Sequence, residues 1–88
     1  MSITIELTYD MSKALGVRSF EVNEARTVQD VVQSTRDQFG AERGEAFEKL
    51  TRVAAVAVNG VLVSHKRGMK TRLRDGDTVT FLKAAAGG

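Results

Sequence analysis

Ile3, Ile5, Leu7 and Tyr9 alternate with Ser2, Thr4, Glu6 and Thr8. A period of two belongs to a strand with one buried face, because successive side chains point to opposite sides of a sheet. Residues 10–17 contain Asp10, Ser12 and Gly16 and read as a turn. Phe20 and Val22 then alternate with Ser19, Glu21 and Asn23. The pattern predicts a hairpin over residues 2–23 with a long connection. The period changes after Arg26. Thr27-Val28-Gln29-Asp30 reads as an N-cap with an acid three residues on. Val28, Val31, Val32, Thr35 and Phe39 follow at helical spacing, with Gln29, Asp30, Gln33, Arg36 and Asp37 on the other face. The spacing predicts an amphipathic helix over 28–39, stopped by Gly40. Residues 41–52 are polar apart from Phe47 and Leu50 at i, i+3, and read as a second short helical piece.

From Val53 to Val58 the chain is continuously apolar, and Asn59-Gly60 separates it from Val61-Leu62-Val63. Asn-Gly between two such runs is a strong hairpin signal, since both residues tolerate the positive φ that a tight hairpin turn needs. Residues 64–74 form a basic loop, Asp75-Gly76-Asp77 a turn, and 78–82 a last strand with Val79 and Phe81 on one face. First and last strands both read as core-facing and are expected side by side. The result is an α+β roll, a mixed sheet with one main helix across one face. The expected core holds Ile3, Ile5, Leu7, Phe20, Val22, Val28, Val31, Val32, Val56, Val58, Val79 and Phe81.

Eighty-eight residues suit a single domain, expected over 1–83 and followed by a tail over 84–88. Cysteine is absent and His65 is the sole histidine. That excludes a disulfide framework, a thiolate metal site, a cysteine nucleophile and a multi-histidine metal site within this chain, so no metal is expected. Ser64 and His65 are adjacent, so in an extended segment they point apart and cannot form a nucleophile–base pair. Asp75 and Asp77 are accounted for by the turn itself. No segment approaches the roughly 18 apolar residues of a membrane helix. The alternating start lacks the basic and apolar regions of a signal peptide. No membrane is expected as a partner, and the expected location is the cytoplasm.

Net charge is +2 but uneven: residues 1–48 carry −4 and residues 49–88 carry +6. Two differently solvated faces account for the split, and a basic face that steers toward an acidic partner is the functional alternative. Residues 65–74 hold five Lys/Arg in ten but no aromatic for stacking on bases, so a solvated loop is expected and nucleic acid is not.

The sequence closes on Lys83-Ala84-Ala85-Ala86-Gly87-Gly88. No side chain there offers an apolar anchor, so residues 84–88 are expected to be mobile or extended and exposed. Glycine has no Cβ, so two terminal glycines can thread a narrow channel. An extended tail from Lys83 reaches roughly 20 Å, enough to enter a partner's active site while the body docks outside.

The run Ala55-Val56-Ala57-Val58-Asn59-Gly60-Val61-Leu62-Val63, then Leu73-Arg74-Asp75-Gly76-Asp77-Thr78-Val79-Thr80-Phe81-Leu82, then Gly87-Gly88, resembles the MoaD/ThiS group. These are the small subunit of molybdopterin synthase and its ubiquitin-like sulfur-carrier relatives. The resemblance implies a β-grasp (ubiquitin-like) fold and a cycle at Gly88, with Gly87 beside it. An E1-like adenylyltransferase would adenylate the Gly88 carboxylate with ATP, and a sulfur donor would convert it to a thiocarboxylate. A sulfur-accepting enzyme, such as a molybdopterin synthase large subunit, would then receive the sulfur. ATP belongs to the activating enzyme, so this chain is expected to bind no cofactor and to act as a carrier rather than an enzyme. The chain departs from the group in having Lys83-Ala84-Ala85-Ala86 where molybdopterin synthase small subunits commonly carry prolines, and in a longer, more basic loop at 64–72.

Leu62 and Leu82 fall out of phase with the inward residues of their strands. They are expected on the outer face of the sheet as the centre of a docking surface, with Arg72 and Arg74 at its rim and Lys83 to Ala86 at the base of the tail. Two alternatives use the same fold: a protein modifier conjugated through Gly88 to target lysines, and a non-covalent interaction domain with an inert tail.

Overall fold

The structure, a computed structural model, describes residues 1–84. Its element order is β1 (Ser2–Glu6), α1 (Tyr9–Leu15), β2 (Ser19–Asn23), α2 (Val28–Thr51), β3 (Ala54–Val58), β4 (Val61–Leu62) and β5 (Thr78–Lys83). Two short 3-10 turns, Val63–His65 and Gly68–Lys70, lie between β4 and β5. The five strands form one sheet in the order β2-β1-β5-β3-β4. β1 and β5 run parallel and the other pairs antiparallel, so the sheet is mixed and its first and last strands are neighbours, as expected. This is the β-grasp arrangement.

The strands sort their residues by period two. Ile3 and Ile5 on β1, Val22 on β2, Val56 and Val58 on β3, and Val79 and Phe81 on β5 are buried. Val28, Val31 and Phe47 from α2 cover that face, with Phe47 edge-on to Phe81 at 5.5 Å between ring centroids. Leu7, Phe20 and Val32, expected in the core, are partly buried against it instead.

The segment at 10–17 corrects the expected turn: residues 9–15 are helical. Thr8 caps α1 by accepting a hydrogen bond from the Met11 amide at 3.1 Å, and Gly16 closes it at φ 79°. Met11 and Leu15, one helical turn apart, are both buried. Local capping and two apolar anchors therefore outweigh the turn propensity of Asp10, Ser12 and Gly16.

The helix start at Val28 is as the sequence predicts. Thr27 Oγ1 accepts from the Asp30 amide at 3.2 Å, and Asp30 Oδ2 accepts from the Thr27 amide at 3.1 Å. This reciprocal box satisfies amide donors that a helix N-terminus leaves unpaired. Gly40, at φ 86° and ψ 174°, breaks the helical run where the sequence places its stop. The chain then folds back, and Arg36 on the first arm pairs with Glu48 on the second at 2.9 Å. Gly44 lies where the arms touch: a Cβ built there would stand 2.8 Å from Arg36 Cα, so only a bare backbone fits. Among the described residues, no helix is long and apolar enough to cross a membrane.

Candidate functional site

The site is organised by β5. Its start is bound on every side. Asn59 and Gly60 turn the β3–β4 hairpin with φ of 49° and 83°, and the Asn59 side chain reaches across to the turn before β5. Asn59 Nδ2 donates to Asp77 Oδ1 at 2.9 Å, while Asn59 Oδ1 accepts from the Thr78 amide at 2.9 Å. Asp77 Oδ2 accepts from the Arg74 amide at 2.8 Å. Asp75 Oδ1 accepts from the Ser2 amide at 2.7 Å, and the Thr4 amide donates to the Asp77 carbonyl at 3.0 Å. Both acids thus serve the turn, as their sequence context implies. The Arg74 amide and then the Asn59 amide group favour the charged form of Asp77 and hold its carboxyl below the ordinary range.

The other end of β5 is open. β3 accompanies β5 from Val79 to Lys83, but β1 pairs with it only from Thr78 to Thr80. Beyond Glu6 the chain turns away into α1. The gap on that side is a groove of ≈ 740 Å³, walled by Leu7 to Asp10, by Leu50, Val53 and Ala54, and by Phe81 to Ala84. Tyr9 and Val53 stand at its edge 74% and 68% exposed. Lys83 is the last residue of β5, exposed and in register with Ala54, and Ala84 is exposed beyond it. The expected tail over 84–88, with its site residues Ala86, Gly87 and Gly88, otherwise lies outside the described residues.

Leu62 and Leu82 are where their phase puts them. Leu82 is in register with Ala55, and Leu62 with Ala57, on the side of the sheet away from Val56 and Phe81. They are 36% and 42% exposed respectively. The same face is polar across β1 and β2, where Thr80 Oγ1 donates to Glu6 at 2.8 Å and Ser2 Oγ to Glu21 at 3.0 Å. An apolar strip from Leu82 to Leu62 thus lies beside a polar field, the composition of an interface core with its rim.

Arg72 and Arg74, expected at the rim of the docking surface, both lie toward the start of β5. Arg74 precedes the turn at the start of β5, the end opposite Leu82. Arg72 bridges Thr27 at the N-terminus of α2, fixed by hydrogen bonds from the Leu73 amide to the Arg26 carbonyl and from the Val28 amide to the Thr71 carbonyl. The buried Leu73 and Thr71 pin this segment near the start of β5, away from the Leu82 end of the leucine strip. Tyr9 and Val53 are the residues that sequence reasoning missed. Val53 heads an apolar run but falls just before β3, and Tyr9 continues the alternation of β1 but already belongs to α1.

Comparison with known proteins agrees with this geometry. The small archaeal modifier protein 1 of Methanosarcina acetivorans superposes with a TM-score of 0.80 at 20% identity, covering 99% of this chain and 96% of that one. A chain of the Amycolatopsis orientalis BexX/CysO complex gives 0.78 at 25% identity, over 98% of this chain and 99% of that one. A chain of the complex of subunits 1 and 2 of the Helicobacter pylori molybdopterin-converting factor gives 0.66 at 19% identity, over the full length of both. No curated protein matches the sequence. The ThiS family matches residues 10–88, from the first turn of α1 to the final glycine, and the chain belongs to that family.

Proposed function

We propose that the chain is a sulfur carrier that works through the carboxylate of Gly88. A carboxylate is a poor electrophile. Attack of its oxygen on the α-phosphorus of ATP, in an E1-like adenylyltransferase, expels pyrophosphate and leaves an acyl-adenylate. Hydrosulfide from the sulfur donor then attacks the activated carbonyl and expels AMP, leaving a thiocarboxylate. The sulfur passes on to an accepting enzyme, for which a molybdopterin synthase large subunit is the model. The chain supplies the acyl group and its positioning, and the catalytic side chains belong to its partners.

The observation that carries this reading is the asymmetry of β5. A strand clamped at its start and open at its end holds Lys83 and Ala84 at a surface that a partner can reach, and the residues after them would enter that partner. The family match through Gly88 supports the same reading. So do the partner chains named for the BexX/CysO and molybdopterin-converting factor complexes.

The test is ATP–pyrophosphate exchange with the cognate E1-like enzyme. Exchange is expected with the native chain and lost when Gly87 and Gly88 are removed. Gly88→Ala adds a methyl in a channel expected to be narrow and should slow exchange without altering thermal stability. Exchange that persists in the truncated chain would remove the reading and favour an interaction domain with an inert tail. Adenylation followed by an isopeptide bond to a target lysine, with no sulfur gained, would favour the modifier.

A further inference from the structure

The loop between β4 and β5 contains a second concave surface, separate from the groove at the open end of β5. Lys66, Arg67, Lys70, Thr71 and Arg72 line a depression of ≈ 630 Å³. All four cations are exposed, and the stretch from His65 to Arg74 contains no acid. Among the described residues, the ion pairs within 4.0 Å are Arg36–Glu48 and Arg52–Glu48, both on α2 and its cap. The charge of Lys66 reaches the Asp77 carboxylate, but both oxygens of that group are already committed to Asn59 and the Arg74 amide.

This cluster sits on an ordered backbone. The Lys66 amide donates to the Val63 carbonyl, the Lys70 amide to Arg67 and the Thr71 amide to Gly68, at 2.9, 3.1 and 3.0 Å. The Thr71 hydroxyl donates to the Gly68 carbonyl at 2.6 Å, and Thr71 itself is buried. Four like charges are thus held together by a folded loop, an arrangement that self-repulsion opposes unless an anionic partner offsets it.

The turn Gly68–Lys70 is also a shared wall. Lys70 lines the basic depression, while the neighbouring Met69, 40% exposed, lines a smaller cavity with Leu62, Val63, Ala54 and Ala55. The basic depression therefore adjoins the apolar strip that ends at Leu62. This decides the class of partner. A nucleic acid would use the cations but has no use for an exposed Leu62 and Met69, and among the described side chains the depression holds no aromatic on which a base could stack. A protein surface with acidic side chains beside an apolar one matches both halves.

We propose that the 66–72 loop is a docking site for an acidic segment of a protein partner, with Leu62 and Met69 taking an apolar side chain next to it. It rests on the carrier reading only in that the partner is a protein. Its charge speeds encounter and fixes orientation, and the apolar contact holds the complex.

The experiment follows the backbone amides of the full chain on titration with three probes: a short glutamate-rich peptide containing leucine, an RNA hairpin and inorganic phosphate. The peptide should shift the amides of 62–72, and its affinity should fall as salt rises from about 50 to about 300 mM, where screening shortens the reach of exposed charges. Arg67→Glu combined with Lys70→Glu should weaken it about tenfold or more, with amides outside the loop unchanged as the control for folding. Met69→Asp should weaken the leucine-containing peptide more than an all-glutamate one. Tighter binding of the RNA hairpin, the same shifts from phosphate alone, or indifference to the charge reversal would each overturn the proposal. Removing Gly87 and Gly88 should leave peptide binding intact while abolishing adenylation, so failure of the docking site and failure of the carrier chemistry read out separately.

Discussion

The two ends of β5 are built on opposite principles. At its start, Asp77, Asn59, Asp75 and Ser2 tie together three segments distant in sequence through side-chain and backbone hydrogen bonds. At its end, β1 has left, β3 alone continues the ladder, and Leu82, Tyr9 and Val53 face solvent. Polar bonding at one end fixes position. Unsatisfied apolar surface at the other leaves free energy to be gained by a partner. The proposed carrier cycle, in which the last residues are presented in a set direction, calls for both.

Substitutions along β5 sharpen the contrast, and the expected loss of stability falls as they move from the core to the open end. Phe81 is fully enclosed between the sheet and Phe47. Phe81→Ala should cost about 3–5 kcal/mol in denaturant unfolding, from lost burial and the cavity left behind. Asn59→Ala removes one donor and one acceptor from the clamp and should cost about 1 kcal/mol. It should also raise amide exchange in the turn at 75–77 while leaving exchange at 81–83 unchanged. Equal loosening at both ends would break the distinction.

Asp77 gives the clamp a pH dependence. Its folded-state carboxyl titrates below the unfolded value of 3.8, so its contribution is fully present above that value and is lost as pH falls through the lower folded value. The group is partly solvated, so the slope should be shallow. Asp77→Asn should flatten the stability profile below about pH 4 and leave it unaltered at neutral pH apart from a constant offset. A profile for the variant that still falls as steeply there would assign the acid sensitivity to other carboxylates. The smallest effect on stability belongs to the open end. Leu82→Asp should change unfolding free energy by no more than about 0.5 kcal/mol, as for other surface positions. It should nonetheless weaken binding to the E1-like enzyme at least about tenfold if Leu82 lies in the interface core. Unchanged affinity would detach the leucine strip from partner binding.

Local signals were legible wherever the chemistry is local. Thr27 with Asp30, Asn59 with Gly60, and the period-two strands each act within a few residues, and each element stands where its pattern puts it. The helix α1 was hidden because seven residues carry only one pair of apolar anchors, while Asp10, Ser12 and Gly16 speak for a turn. Phe47 reads as a minor apolar position in a polar segment, because its burial depends on the fold-back at Gly40 and on Phe81. The outward phase of Leu62 and Leu82 was visible in their strands. The positions of Arg72 and Arg74 were not, since the bridge to Thr27 and the clamp at Asn59 connect residues far apart in the chain. Tyr9 and Val53 meet at the groove only because β1 and α2 both end there.

In the proposed carrier cycle, the fixed strand β5 presents the carboxylate of Gly88 for reaction. Intact mass after incubation with the cognate E1-like enzyme, ATP and a sulfur source tests it most directly, read on the native chain and on one lengthened by a single residue after Gly88. The extra residue carries the carboxylate about 3.5 Å past the reacting position, well outside the tolerance of an oriented reaction. The account predicts a gain of about 16 Da on the native chain, from replacement of oxygen by sulfur at the activated acyl group, and none on the lengthened one. An equal gain on both chains, or a gain that maps to any residue other than Gly88, would contradict it.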